Sequence, residues 1–361
     1  MPPWEMPKPE PDFGRLERVL WRHGEPDRVP FIELYSDPEP MEAFLGRPMP
    51  DFCLEPPDAF EAYHSGALEF HHRLGYDYVV SVVPVFLDRK WVAADNTAQF
   101  SRRPRIWAEE GAGVITSWAE YERFPWPRPA DVSFAPVEYN VRHMPEGMKT
   151  ILHTSGIFEQ AWWLMGAETF FYSLHDQPEL VEAIWQRIGQ IMVDVCRQAA
   201  EIPGVGAIFL GDDMGYKTGT MIHPDLLRDH VFPWHRRIAE TVHSKDLPFL
   251  LHACGNLKWI MEDLIEVVGI DAKHSFEDTF LSAPEAKRLY GDRIAILGGV
   301  DVDKLCRSDE HEVRAYVRNI LEQCAPGGGY ALGTGNTLTN YTPLENFLAM
   351  LEEGYNYGRW V

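Results

Sequence analysis

Cysteine is scarce in this chain of 361 residues: Cys53, Cys196, Cys254, Cys306 and Cys324 are scattered and odd in number. That excludes a dense disulfide framework and suits a reducing compartment such as the cytoplasm. Positive charge is short as well, with 33 Lys and Arg against 55 Asp and Glu and a net charge of −22. Without a basic face, nucleic acid is a poor partner, and the spread of acidic groups favours solubility. No apolar run reaches the ~18 residues that a membrane span needs. The opening MPPWEMPKPEPDF has no cationic start and no apolar stretch, so no cleaved leader is expected there. Some chemical signatures are also missing. There is no G-x-S-x-G nucleophile turn. GTGN (333–336) lacks the third glycine of a dinucleotide fingerprint, and GGGY (327–330) precedes a strand, so it reads as a turn and not a phosphate loop.

What is present is a rhythm. After the proline-rich arm, a helical stretch from Arg15 to His23 leads into a turn at Glu25-Pro26-Asp27. Eight short apolar runs then follow: VPFIEL (29–34), YVVSVV (78–83), KTILHT (149–154), AIFLGDD (207–213), PFLLHA (248–253), DAKHSF (271–276), IAILGG (294–299) and YALGTG (330–335). Helical patterns separate most of them. The clearest runs from Pro178 to Ala200, where Leu180, Val181, Ile184, Ile188, Ile191, Met192 and Val195 share one face, and Asp176 with Glu179 has the spacing of a capping box. Eight strands alternating with helices predict a single (β/α)₈ barrel over residues 1–361. Residues 85–147 are too long for an ordinary connection and read as a hairpin or small subdomain inserted after the second strand. Cys196, Trp162, Trp163 and Trp234 fall at helical positions that core packing explains.

Polar residues gather where the strands end. Glu33, Tyr35, His153, Ser155, Asp212, Asp213, His252, Cys254, His274, Glu277, Asp301, Thr334 and Asn336 all follow apolar runs. In a (β/α)₈ barrel these positions ring one mouth, where the active sites of this fold lie. His252-x-Cys254 is the sharpest element. Alternate residues of an extended segment share a face, and imidazole with thiolate is a zinc donor set. Its bland alternative is a histidine bonded to backbone beside a buried cysteine. The GDDMG segment (211–215) offers two carboxylates that suit a general base, a metal ligand or a helix cap. Tyr216 follows that segment, and with His153 and Asn336 it is a candidate substrate contact at the mouth. Glu277, in HSFED (274–278), is a candidate to complete a metal site.

Several stretches resemble the uroporphyrinogen decarboxylase superfamily: RLERVLWRHGEPDRVPFIEL, SGIFEQAWWLMGAETFFYSLHDQPELVEAI, LLHACGN followed by ILGGVDVD, and GGGYALGTGNTLTNYTPLENFLAMLEEG. The resemblance covers nearly the whole chain from Arg15 and implies a (β/α)₈ barrel. True uroporphyrinogen decarboxylases bind an acidic tetrapyrrole through an arginine-containing segment after the first strand and an aspartate near the end of the second. Here the first strand leads into IELYSDPEPMEAF, with no arginine before Arg47, and the second reads SVVPVF. The other branch comprises cobalamin-dependent methyltransferases that carry a H-x-C zinc pair and a later cysteine before T-P-L-E-N. His252 and Cys254 match the pair, whereas Asn336 occupies the place of the later cysteine.

The resemblance therefore implies a corrinoid-dependent methyltransferase, with zinc on His252 and Cys254. Glu277, His274 or a carboxylate of the Asp212–Asp213 pair would stand in for the lost ligand. Its partners would be a corrinoid protein and a small-molecule methyl acceptor. A metal-free decarboxylase or lyase using Asp212 or Asp213 with His274 is the alternative reaction. A non-catalytic barrel that binds a corrinoid or tetrapyrrole is the alternative of another class.

Overall fold

The computed structural model describes residues 4–52, 57–85, 91–94, 105–108, 111 and 113–359. Seven of the eight apolar runs form one parallel sheet: β1 (Tyr78–Val82), β2 (Lys149–Ser155), β3 (Val205–Gly211), β4 (Phe249–His252), β5 (Ala272–His274), β6 (Ala295–Leu297) and β7 (Tyr330–Ala331). They pair in chain order, each with its sequence neighbours, as in a sheet wound in one sense. Continuous apolar runs are what such strands need, because helices cover their outer face and the barrel core fills the inner one. All seven residues of β3 are buried.

The remaining run, 29–34, closes the ring. Phe31 bridges Leu332 in parallel, the Ile32 N–H donates to Leu332 O at 2.8 Å, and the Leu332 N–H donates to Pro30 O at 2.9 Å. Pro30 has no N–H to give, so the pairing stays a local bridge and not a full ladder. On the other side the Tyr78 hydroxyl takes over the backbone's role, lying 2.7 Å from both the N and the O of Glu33. The architecture is the expected (β/α)₈ barrel.

The helix Pro178–Ala200 has the predicted bounds and buries the predicted face. Its cap differs from the expectation. Asp176 is the last residue of the preceding helix, Ala167–Asp176, so Gln177 holds the cap position and makes no side-chain bond. The first helix spans Phe13–Leu20, capped by Asp12, whose carboxylate accepts the Gly14 N–H. Within 85–147, residues 91–94 and 105–108 pair antiparallel. The helix Ala135–His143 in the same stretch packs on β1, on β2 and on the helix Pro57–Arg73. It serves as the crossover from β1 to β2, so the stretch read as an insertion also holds a barrel helix.

The strand starts are less plain than the sequence suggests. Asp77, just before β1, is fully buried, and Arg15 and Arg28 reach it at 2.5 and 3.3 Å. That pairing ties the N-terminal helix to the barrel floor, the face on which this fold keeps its stabilising contacts.

Glu33 gives the fold a pH signature. Burial raises its carboxyl from 4.5 to about 8, although it accepts bonds from the Thr334 N–H at 2.8 Å and the Thr334 hydroxyl at 2.5 Å. The folded pKa lies above the unfolded one, so its contribution is complete below about 4.5 and lost as pH rises through about 8. Across that window stability falls by up to about 1.4 kcal/mol per pH unit. Glu33→Gln keeps the shape and is expected to flatten the slope, measured by urea unfolding at stepped pH.

Candidate active site

The sheet register decides which groups meet. Gly211 pairs with His252 and His252 with His274, so the ends of β3, β4 and β5 lie side by side. Two loops leave the barrel there, one carrying Asp212 and Asp213, the other Cys254. They are clamped together by backbone. A Cβ added at Gly255, whose φ is +82°, would lie 2.3 Å from the Gly215 carbonyl carbon, so neither loop has room for a side chain at this crossing. The Asn256 N–H also donates to Tyr216 O at 2.9 Å.

This crossing brings three donors together. Oδ1 of Asp213, Nε2 of His252 and Sγ of Cys254 lie within 4.8 Å of one another, the one such group of three among the described residues. His252 Nε2 is 3.3 Å from Cys254 Sγ and 3.5 Å from Asp213 Oδ1. A tetrahedral zinc with bonds of about 2.0–2.3 Å needs ligand atoms roughly 3.3–3.7 Å apart. The Cys254 N–H donates to Asp213 Oδ1 at 2.7 Å and fixes the carboxylate. An S, N, O set with a fourth position left open is the pattern of catalytic and not structural zinc. The residues fit the ion.

The hydrogen bonds behind His252 select its tautomer. His274 Nε2 lies 3.1 Å from the Thr334 carbonyl, which only accepts, so that nitrogen carries a proton and donates. His274 Nδ1 is then a bare acceptor, and it lies 2.8 Å from His252 Nδ1, which must donate to it. His252 Nε2 is left with its lone pair facing Cys254 and Asp213. Burial pushes both imidazoles well below their usual range, so both stay neutral. A histidine ligand steadied by a partner on its other nitrogen is the usual metal arrangement. His274→Ala is expected to weaken zinc binding about 10- to 100-fold, read by competition with a chelator.

Cys254 has further neighbours. Asn336 Nδ2 donates to Sγ at 3.3 Å, and the Ser275 hydroxyl does so at 3.6 Å. Ser275 has φ of +76°, a strained conformation for a residue with a side chain, of the kind that collects at functional sites. Burial and the Asp213 charge nevertheless hold the thiol well above its ordinary range. A divalent cation between the three groups would reverse that balance.

Other expected residues go elsewhere. Asp212 is fully buried and is not one of the three donors. Its carboxylate accepts the N–H groups of Ile157, Phe158 and Glu159, the first turn of the helix Ile157–Met165, at 2.7–3.1 Å. It also accepts from His235 Nε2 at 2.7 Å. The helix end comes this close because residue 156 is glycine, where a Cβ would collide with the Asp212 carboxylate. Glu277 is half-buried with its carboxyl raised by burial, and it lies outside the three-donor group that Asp213 completes. The Tyr216 side chain is 62% exposed and only its carbonyl engages the loop. Among the described residues His153 has no hydrogen-bond partner on either nitrogen, and it borders a neighbouring cleft. Asp301 caps the helix Val302–Arg307. Cys196 and Cys324 are buried, and Cys53 lies outside the described residues.

Sequence reasoning missed Lys273. Fully buried on β5, its ammonium donates to the carbonyls of Ala253, His274 and Ser275 at 3.2, 2.9 and 2.7 Å. Burial lowers its pKa to about 8. It staples the turn holding Cys254 to the end of β5. The signal was there: a lysine inside an otherwise apolar run, DAKHSF, is costly unless its charge is used.

Comparison with known proteins agrees with this architecture. Over residues 15–357 the chain matches the family described as Uroporphyrinogen decarboxylase (URO-D). It is 25% identical over 188 residues to a uroporphyrinogen decarboxylase of Coxiella burnetii (strain Dugway 5J108-111), covering 51% of this chain and 49% of that one. A second, from Cupriavidus metallidurans, is 27% identical over 119 residues, 32% and 31% of the two chains. The chain thus aligns with about half the length of the first of these relatives and less of the second. Among solved structures it resembles a methyltransferase from Methanosarcina mazei, with TM-score 0.69 and 19% identity over 95% of this chain and 98% of that one. It also resembles a B12-independent methionine synthase from Shewanella sp. W3-18-1, with TM-score 0.54 and 14% identity over 91% and 96%. At those identities the two structures speak for the fold. Among the described residues no helix is long and apolar enough to cross a membrane. The match over most of its length establishes that the chain belongs to the uroporphyrinogen decarboxylase family.

Proposed function

We propose that the protein is a corrinoid-dependent methyltransferase that passes a methyl group to a small-molecule nucleophile, with a thiol as the first candidate. The observation that carries this reading is the Asp213–His252–Cys254 group, with donor spacings suited to zinc and the His252 lone pair aimed into it. Zn²⁺ held there would supply the positive charge that lowers a substrate thiol's pKa and favours its thiolate at neutral pH; with an oxygen or nitrogen acceptor it would act as a Lewis acid.

The chain's own residues do the rest. His274 and Thr334 hold the tautomer of His252. Asn336 and Ser275 donate to Sγ and temper its charge, and Lys273 fixes the turn that presents Cys254. The methyl group would come from a corrinoid protein docked over the mouth. Of the candidates for the decarboxylase alternative, Asp212 is committed to a helix end and His274 to His252 and Thr334, which leaves it Asp213 alone.

Anaerobically purified protein, assayed for metal by mass spectrometry and then mixed with methylcobalamin and a series of small thiols, tests the reading. The expected result is about one zinc per chain and thiol-dependent loss of the methylcobalamin spectrum. Metal-free protein with no such demethylation for any nucleophile class would overturn it.

A further inference from the structure

Lys273 does more than tie a turn. It is the one buried lysine among the described residues, and each hydrogen bond it makes there goes to a backbone carbonyl and none to a carboxylate. The oxygens of Ala253, His274 and Ser275 take its three N–H groups, and the ammonium stands 4.5 Å from the centre of the Phe276 ring. Converging carbonyls that replace a hydration shell, with an aromatic face beside them, make a seat for a monovalent cation.

A neutral side chain could bond the same carbonyls. The amide of a glutamine brings two N–H donors and no charge. Burying a charge is costly unless an opposite charge compensates it. The other buried cations among the described residues, Arg15 and Arg28, meet Asp77 on the barrel floor. Lys273 has no such partner within ion-pair distance, and burial lowers its pKa to about 8.

The compensation lies in the donor group. The charges of Cys254 and Asp213, and after them Glu277, favour the protonated form of Lys273. Glu277 is only half-buried, and Lys217 acts on it as well. A divalent ion on Asp213, His252 and Cys254 would use up the first two of these charges. A carboxylate, a thiolate and a neutral imidazole sum to two negative charges, which the ion cancels. The charge of Lys273 then remains, and whatever enters the open fourth position is placed to balance it.

We infer that Lys273 is a specificity-determining residue, whose charge makes an anionic nucleophile the preferred occupant of the fourth position and disfavours a neutral nitrogen acceptor. The assignment rests on the methyl-transfer reading, in which the three donors hold a metal. Of thiol, oxygen and nitrogen acceptors, the site selects those that bind as anions. A thiolate comes first, because a thiol is the most readily ionised.

The test loads Co²⁺ into the full chain in place of zinc and follows its visible absorption, with azide as the anionic probe and imidazole as the neutral one. Lys273→Gln removes the charge and keeps two N–H donors for the carbonyls. It is expected to weaken azide about ten- to hundredfold, the effect of one unit charge several ångströms away in a protein interior, while imidazole changes by less than about threefold. Lys273→Met serves if the glutamine variant does not fold, and the same pattern is expected of it. A lysine that only held the turn would weaken both probes together, by loosening the segment that carries Cys254. Equal loss for azide and imidazole, or unchanged azide binding, would overturn the inference and leave the metal reading intact. A natural chain that takes up no Co²⁺ would overturn both, and the absence of any cobalt spectrum tells that outcome apart.

Discussion

Cys254→Ser and His252→Ala are each expected to strip the protein of zinc and abolish thiol-dependent demethylation without unfolding the barrel. The size of the effect follows from the ligand count. Structural zinc sites are worth about 10–16 kcal/mol for four protein ligands, or roughly 2.5–4 kcal/mol for each. Losing one ligand therefore weakens binding by about 10²- to 10³-fold. Asp213→Asn should fall in the same class, since it removes the third donor. The measurement is zinc per chain after dialysis against a chelator, beside a circular dichroism spectrum. Variants that keep their zinc would show that the three donors do not hold it.

The neighbouring carboxylate should behave in the opposite way. Asp212→Ala removes the acceptor for three helix N–H groups and for His235, all buried. Taking one member from a buried charged network costs about 3–5 kcal/mol, a large share of the stability of a typical domain. Urea unfolding should show a lower midpoint at unchanged slope, and the folded fraction should still bind zinc. The two variants, Asp212→Ala and Asp213→Asn, thus separate stability from metal binding across one peptide bond. If Asp212→Ala lost metal at unchanged stability, the assignment of the pair would be reversed.

That pair also marks the limit of what the sequence made legible. Apolar runs of strand length, separated by helical periods, were enough for the barrel, because burial on both faces leaves a plain mark in composition. Polar residues after those runs pointed to the mouth as the candidate site, and the i, i+2 spacing of His252 and Cys254 to two of the three donors that lie together there. In GDD, however, two identical side chains sit side by side. Only the register of β3, and the helix end brought close by Gly156, turns one into a helix acceptor and the other into a candidate ligand. Glu277 is a related case: proximity in sequence to His274 says nothing about which loop crosses Cys254, and the Gly215–Gly255 contact brings Asp213 into the donor group while Glu277 lies outside it. Tyr216 is a candidate substrate contact by position; in the structure its backbone carbonyl accepts the Asn256 N–H and its ring is exposed. Asp176 was the right residue type for a cap and sits one position too early. Asn336 is the converse case. Counting alone placed it where the family has a cysteine, and its amide indeed reaches Cys254.

The strands pair in chain order, so the mouth divides into two arcs that are also two stretches of sequence. The three donors come from the ends of β3 and β4, whereas the cleft beside His153 is bordered by the 29–34 run, β1 and β2. Inheritance can act on these arcs separately. A change of residues before 156 could alter what the barrel accepts while leaving the donors after 205 intact, and recombination between relatives in the helices between them would exchange one arc without disturbing the other. The winding of the sheet makes the chain modular for evolution, although it folds around one core.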